Sequence, residues 1–310
     1  MTNTEDEEKE LEEVCRREES LREKRGVSQG MIDNVRSLLT DSENETADDD
    51  MVTRYLNAVN RKDERKAAKR LKATLEWWRK ENPAAMVCSA CSGDCAEHYM
   101  HCVCYDIHGR PTIYSCLELA INKDIEDNRI HMVSTFETAV SLMDASKGII
   151  SWNWVLDMHG FGIVDCDPRL ARIFLQIAAD HYPERLADFF IVDAPRLFSS
   201  LWSAISRFVD PKTKKKIQFL KTKDTKKLRA SFGNHFDDDT VEWLVNEIQE
   251  NRVKKKGEKS YNYKELANAV TNPDNVDWNG HYHLCSPNFL DDVRSLPNGI
   301  PERLYKFHSQ

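Results

Sequence analysis

The chain has 310 residues, a formal net charge of −8 at pH 7 and nine cysteines. That length allows one large domain or two modest ones, each able to bury a core. The acidic balance excludes a nucleic-acid binder as the whole-molecule reading, because neutralising phosphates needs a basic face. Local basic patches stay compatible with it.

No stretch reaches the roughly 18 uncharged apolar residues of a membrane span. Contact with a membrane surface stays open. An odd number of cysteines, scattered from Cys15 to Cys285 with no apolar segment at the start, predicts reduced thiols in the cytosol and no secretion.

The opening, EDEEKELEEVCRREESLREKRG, mixes both charge signs with few large apolar residues, so residues 1–30 read as a solvated helix or a flexible, disordered tail outside the core. Residues 31–83 are predicted as a small helical lobe. In it a short helix around MIDNVRSLLT is followed by an acidic loop, DSENETADDD from Asp41 to Asp50, and one long helical stretch to Trp78. Tyr55, Leu56, Val59, Ala67, Leu71, Leu75 and Trp78 recur there near helical spacing, and ENP stops the run.

From residue 99 the period changes: YMHCVCYD and PTIYSC flank IHGR, whose glycine suits a tight turn, so the pair predicts a β-hairpin. A helix near residues 130–145, a strand in IISWNWVLD and a helix in PRLARIFLQIAADHY follow, the last with Leu170, Ile173, Phe174 and Ile177 on one face. DFFIVDA, a continuous apolar run between HYPER and Pro195, reads as a strand buried on both faces. Beyond it Leu197, Phe198, Leu201, Trp202, Ile205, Phe208 and Val209 make a wide apolar helical face, before DPKTKKK and a strand, IQFL. Strands and helices in this order define an α/β fold over residues 84–250; residues 251–310 form an extension without an assigned role.

HYPERLADFFIVDAP, the helix after it and DPKTKKKIQFL resemble the CRAL-TRIO lipid-binding family, in particular its phosphatidylinositol/phosphatidylcholine transfer proteins. DIHGRPTIY stands in the family's place for a D-x-x-G-R-P hairpin, VLDMHG for its strand and turn, and RYLNAV with EWWRKENP for its N-terminal helices. The resemblance covers roughly residues 50–235. It implies a helical lobe beside a mixed sheet whose lipid cavity is closed by a mobile gate helix, here the apolar helix with Phe198, Leu201, Trp202, Ile205 and Phe208.

The chemistry agrees with a carrier. An acyl chain gains about 0.8 kcal/mol per methylene on leaving water, so moving a two-chain lipid through water faces about 25 kcal/mol, and a matching apolar cavity removes that cost.

The resemblance further assigns Glu184, Thr213 and Lys216 to an inositol phosphate headgroup. Lysine supplies a point charge for phosphate, and threonine and glutamate suit ring hydroxyls; the structural reading has Glu184 paired with Arg185 or capping a helix. An arginine that the family uses for the same headgroup falls on Val59. The family's choline positions fall on Cys102, Ile113, Trp152 and Trp154, which argues against phosphatidylcholine exchange. Trp152 and Trp154 lie two apart on one strand and face one side, either a cavity with room for a less polar second ligand or ordinary aromatic core. Eight lysines from Lys212 to Lys227 could attract an anionic membrane.

Other chemistries have weaker support. CSACSGDCAEHYMHCVC gathers Cys88, Cys91, Cys95, His98, His101, Cys102 and Cys104, and C-x2-C is a zinc spacing. The second such pair is missing and His101 to Cys104 fall in a strand whose residues alternate sides, so reduced thiols and no metal are expected. Cys104 and Arg110 stand at a C-x5-R spacing, but the loop between them reads as a hairpin turn, and no nucleophile elbow or phosphate-binding glycine loop occurs.

The sequence therefore points to a non-enzymatic, cytoplasmic carrier of one lipid, most simply phosphatidylinositol, with no cofactor beyond that hydrophobic ligand. Its partners are the lipid and, transiently, a membrane surface, with no nucleic acid. The alternative is a non-transferring interaction module on the same fold, with a protein partner.

Overall fold

A computed structural model of the protein describes residues 26–90, 97–162, 167–195 and 211–253, and within 196–210 only Phe198, Trp202, Ser206 and Val209. Two compact units result: the described residues up to Asn82 with Asp144–Ile150 and Gln176–Arg185, and the remainder.

The first unit opens with helices Gln29–Arg36 (α1), Asp41–Thr46 (α2), Asp49–Ala58 (α3) and Glu64–Glu81 (α4). Two expectations are corrected here. The acidic tract is no loop, because Thr40 and Glu43 form a reciprocal capping box that starts α2, and Asp48 accepts from the Met51 amide to start α3. The long helix is interrupted, since Asn60 and Arg61 take left-handed φ values of 55° and 58° and Asp63 caps a new start by accepting from Lys66 N at 2.8 Å. Polar caps thus override the apolar spacing. Ile32, Val35, Val52, Tyr55, Leu71 and Leu75 from α1, α3 and α4 form the core of this unit. Arg36 ties the α1–α3 connection by donating to Asp49 and to the Ala47 carbonyl.

Next in the chain come strands Met100–Tyr105 (β1) and Pro111–Cys116 (β2), helix Ile125–Ser141 (α5), strand Trp152–Asp157 (β3), helix Pro168–His181 (α6), of which the part from Gln176 on belongs to the first unit, and strand Leu186–Val192 (β4). Helix Pro211–Lys215 (α7), strand Ile217–Leu220 (β5) and helices Thr225–Gly233 (α8) and Asp238–Glu250 (α9) complete the series. The sheet order is β1-β2-β3-β4-β5, with β1 and β2 antiparallel and the other neighbours parallel. This is the mixed sheet expected. The helix placed near residues 130–145 begins earlier, at Ile125, because Asp124 accepts from the Glu126 and Asp127 amides and caps it.

Two buried aspartates, Asp106 and Asp157, and the partly buried Asp193 organise the strand ends. In DIHGRP, Asp106 accepts from the His108 and Arg110 amides at 2.9 and 2.8 Å, from Arg110 Nε at 2.6 Å and from Asn153 Nδ2 at 2.8 Å. Gly109, at φ 77°, completes the turn, which is why a glycine is required there. Asp157, at the end of β3, accepts from Arg252 Nη1 at 2.6 Å, and Asp193, just past β4, accepts from Arg252 Nη2 at 3.0 Å. One guanidinium therefore joins the end of α9 to two neighbouring strands.

The same helices seal one face of the sheet. Leu228, Phe232, Leu244, Val245 and Ile248 of α8 and α9 pack on Val155, Phe190, Val192 and Leu220 in one continuous core. Removing Arg252 would leave the Asp157 carboxylate, whose side chain is fully buried, without its cation. Arg252→Ala is expected to lower stability by about 3 kcal/mol in urea denaturation, the cost typical of breaking a buried ion pair. An unchanged transition midpoint would show that the clamp is not structural.

Candidate functional site

A strand sends alternate residues to opposite faces, so sealing one face with α8 and α9 leaves the other to be explained. The register places two transverse rows on that second face. Cys102, Ile113, Trp154, Phe189 and Ile217 are successive cross-strand neighbours, and so are Met100, Ser115, Leu156, Ile191 and Phe219.

The two faces differ in how well they are covered. Val155, Phe190 and Val192 on the sealed side are 0% exposed, whereas Phe219 on the other side is 44% exposed and Trp154, Leu156, Phe189 and Ile217 are only half-buried. Met100, Cys102, Ile113, Ser115 and Ile191 of the same rows are buried, so among the described residues the incompletely covered part is the apolar patch of Trp154, Leu156, Phe189, Ile217 and Phe219 on β3–β5, the kind of patch that marks a binding surface when it is large.

Trp152 and Trp154 both lie against Phe136 of α5, with ring centroids at 4.7 and 5.7 Å. The shared neighbour puts them on one side, as their spacing predicted. Trp152 is buried, while Trp154 reaches Phe189 at 5.3 Å and donates its indole N–H to Ser115 Oγ at 2.8 Å. Of the choline positions, Cys102, Ile113 and Trp154 fall in a single row.

Phe198 is buried against Met158 and Ile191, with Leu156, Phe189, Trp202 and Ile217 packed around that cluster. Phe198 and Trp202 also contact Phe219, at 6.1 and 5.8 Å between centroids. These two residues of the expected gate therefore lie over the open face. Leu201, Ile205 and Phe208 lie outside the described residues.

Glu184 sits in the turn before β4, within the first unit. The last carbonyls of α6 are satisfied from α4: Arg70 Nη2 donates to Ala179 O at 2.6 Å and Thr74 Oγ1 to Asp180 O at 3.1 Å. Tyr55 donates to Thr74 Oγ1 at 2.6 Å, and burial pushes its phenol up to about 12. Trp77 stacks on His181 at 4.0 Å. Pro183 cannot extend the helix, and Glu184 takes φ 61°, a left-handed conformation that costs a side chain about 1–2 kcal/mol. Arg185 donates to the Ile150 carbonyl at 2.7 Å, so the turn is held from both sides and Glu184 stays half-buried. Val59, at the expected arginine position, packs on the helical core.

Thr213 and Lys216 belong to the second unit. Thr213 is half-buried on α7, and its carbonyl accepts from Lys216 N at 3.0 Å. Lys216 Nζ donates to Leu186 O at 2.5 Å, which engages one of the three ammonium hydrogens and steadies the start of β4 beside β5. Of the eight lysines from Lys212 to Lys227, all but Lys216 are exposed.

The C-x5-R spacing has a structural explanation. Burial pushes the Cys104 thiol up, away from the nucleophilic thiolate, and Arg110 is turned onto Asp106. Sequence reasoning missed Leu156, Ile191, Ile217 and Phe219, although alternation within WNWVLD and IQFL carried the signal. It also missed Arg252, for which no local pattern exists.

Among the described residues, no helix is long and apolar enough to cross a membrane. Residues 97–242 match the CRAL/TRIO domain. The phosphatidylinositol/phosphatidylcholine transfer protein SFH4 of Arabidopsis thaliana is 36% identical over 87 residues, 27% of this chain and 14% of that protein. The phosphatidylinositol transfer protein CSR1 of Eremothecium gossypii is 34% identical over 68 residues, 22% of this chain and 16% of that protein. A CRAL-TRIO domain-containing protein of Schizosaccharomyces pombe is 24% identical over 155 residues, 47% of this chain and 35% of that protein. The chain thus spans at most 35% of the length of these relatives. The crystal structure of Sfh5 superposes with a TM-score of 0.47 at 18% identity, over 56% of this chain and 64% of that one. The matched residues, 97–242, contain the D-x-x-G-R-P hairpin, all five strands and both aspartates held by Arg252, so the likeness to the CRAL/TRIO domain spans the whole sheet.

Proposed function

We propose that this protein is a carrier that binds one lipid against the open face of its sheet and exchanges it between membranes. The observation that carries the reading is the contrast between the two faces: one packed by α8 and α9, the other, among the described residues, left partly uncovered over β3–β5 by Trp154, Leu156, Phe189, Ile217 and Phe219. Acyl chains supply the non-directional apolar contact that such rows can use. The relatives named as phosphatidylinositol transfer proteins support the same class of ligand.

Phosphatidylinositol is the lipid we favour. Thr213 and Lys216 of the second unit offer the hydroxyl and cation that an inositol phosphate needs, and the family resemblance assigns Glu184 to the same headgroup as an acceptor. Phosphatidylcholine is disfavoured, because Cys102, Ile113, Trp152 and Trp154 supply none of the aliphatic or phenolic hydroxyls of the family's choline site. Exposed lysines of α7 and the following segment suit transient contact with the anionic cytoplasmic leaflet, at about 1 kcal/mol per basic residue near the surface. We place the carrier in the cytoplasm on that ground.

Mass spectrometry of lipid co-purifying with the protein, with transfer of labelled phosphatidylinositol between vesicles, tests the proposal. A purified protein that holds no lipid and moves none is an interaction module on this fold and not a carrier.

Phe219→Asp places a charge on the open face at a position where folding needs little from the side chain. Transfer should fall at least about tenfold while the melting temperature changes little, because a carboxylate cannot be buried unpaired against an acyl chain. Full transfer activity in a folded Phe219→Asp protein would move the lipid site elsewhere.

Lys216→Ala separates the headgroup assignment from the carrier role. Loss of a charge-assisted phosphate contact costs about 1.5–3 kcal/mol, or roughly 10- to 150-fold in phosphatidylinositol affinity. Lys214→Ala, at an exposed neighbouring position, should be near wild type. Equal behaviour of the two variants would remove Lys216 from the headgroup site.

A further inference from the structure

We propose that Cys88, His98 and His131 form a zinc site beside the first strand. The three come from separate places in the second unit: Cys88 after the short 3-10 turn Pro83–Ala85, His98 just before β1, and His131 on α5. Their donor atoms all lie within 4.8 Å of one another, and the residues are 7%, 3% and 5% exposed. A thiol and two imidazoles gathered this closely out of water are a ready donor set for a metal ion.

The geometry suits zinc. Cys88 Sγ and His98 Nδ1 are 3.6 Å apart. A tetrahedral ion with Zn–S near 2.3 Å and Zn–N near 2.0 Å separates its sulfur and nitrogen donors by about 3.5 Å. The His98 and His131 rings stack with centroids 4.4 Å apart and planes within 16°, so neither ring has to turn far to present a nitrogen beside the sulfur.

His131 is also set in the required tautomer. Its Nε2 lies 2.7 Å from the Met100 carbonyl oxygen, which can only accept, so the proton is on Nε2 and the lone pair is on Nδ1. A backbone carbonyl behind the far nitrogen is the usual outer support of a metal-bound histidine. His101, buried and edge-on to His131 at 5.8 Å, walls that ring from water.

One soft thiolate and two imidazoles select zinc over calcium or magnesium, which take oxygen ligands. Zinc accepts three protein ligands with a water or another donor in the fourth position. Binding releases the Cys88 proton as the thiolate forms. The ion would pin the approach to β1 onto α5, next to Met100 in the second apolar row. The expectation of metal-free thiols rested on spacing within the cysteine-rich run, where the zinc pattern is incomplete; His131 lies far outside that run.

The test uses the full chain without a histidine tag, loaded with zinc and freed of excess. About one zinc per chain is expected by elemental analysis, and cobalt substitution should give a thiolate-to-metal charge-transfer band. A strong chelator should lower the melting temperature of the wild type. Cys88→Ser and His131→Gln should each weaken zinc binding at least about tenfold, while Cys116→Ser, at a buried cysteine elsewhere in the core, should keep it. Should Cys88→Ser fail to fold, the wild-type cobalt spectrum still decides: a loaded protein with only trace metal and no thiolate band overturns the proposal. Retention of stoichiometric zinc by both folded variants also overturns it, because the metal then sits elsewhere.

Discussion

Period-two alternation governs this protein. Every strand carries large apolar residues on both sides, so each of the two faces of the sheet has to be kept from water. The chain's own helices α8 and α9 cover one of them with a dense aromatic and aliphatic core. On the other, Phe136 of α5 lies against Trp152 and Trp154, Phe198 and Trp202 lie against Phe219, and among the described residues Trp154, Leu156, Phe189, Ile217 and Phe219 stay incompletely covered. The two faces are therefore covered unequally, which is the feature the proposed lipid site relies on.

Hydrogen-bonded carboxylates, two of them buried and one partly so, tie the strand ends of the sheet. Asp106, Asp157 and Asp193 each sit at the end of a strand or in the turn beside it and accept several hydrogen bonds. Charged acceptors make stronger bonds than neutral ones, and the low-dielectric surroundings make their loss expensive. Although partial burial works the other way, the Thr222 bonds and Arg252 hold the Asp193 carboxyl below its usual range. Much of the motif content that marks this family is therefore architectural. The D-x-x-G-R-P run closes a hairpin, and the glycine of VLDMHG, at φ 71°, leaves room for the Glu118 side chain, which a Cβ would meet at 2.7 Å.

The charged turn before DFFIVDA is held by contacts made to the end of α6. Tyr55, Arg70, Thr74 and Trp77 saturate the end of α6, proline stops it, and Glu184 is left in a conformation that a free chain would seldom adopt. Such strain persists only where the surrounding structure over-determines the turn.

Local chemistry and periodicity were enough to recognise the hairpin, the strands of WNWVLD, DFFIV and IQFL, and the helix from Pro168 to His181. They misjudged the acidic tract and the long helix, because capping side chains act over three or four residues and outweigh a sparse apolar pattern. Which side of the sheet would be sealed was not legible, since both sides read as apolar and only the docking of α8 and α9 chooses between them. The same holds for Arg252 and for the pairing of His131 with Cys88 and His98. Those contacts join residues far apart in the chain, and backbone register and helix docking, which no single segment encodes, decide whether their side chains meet.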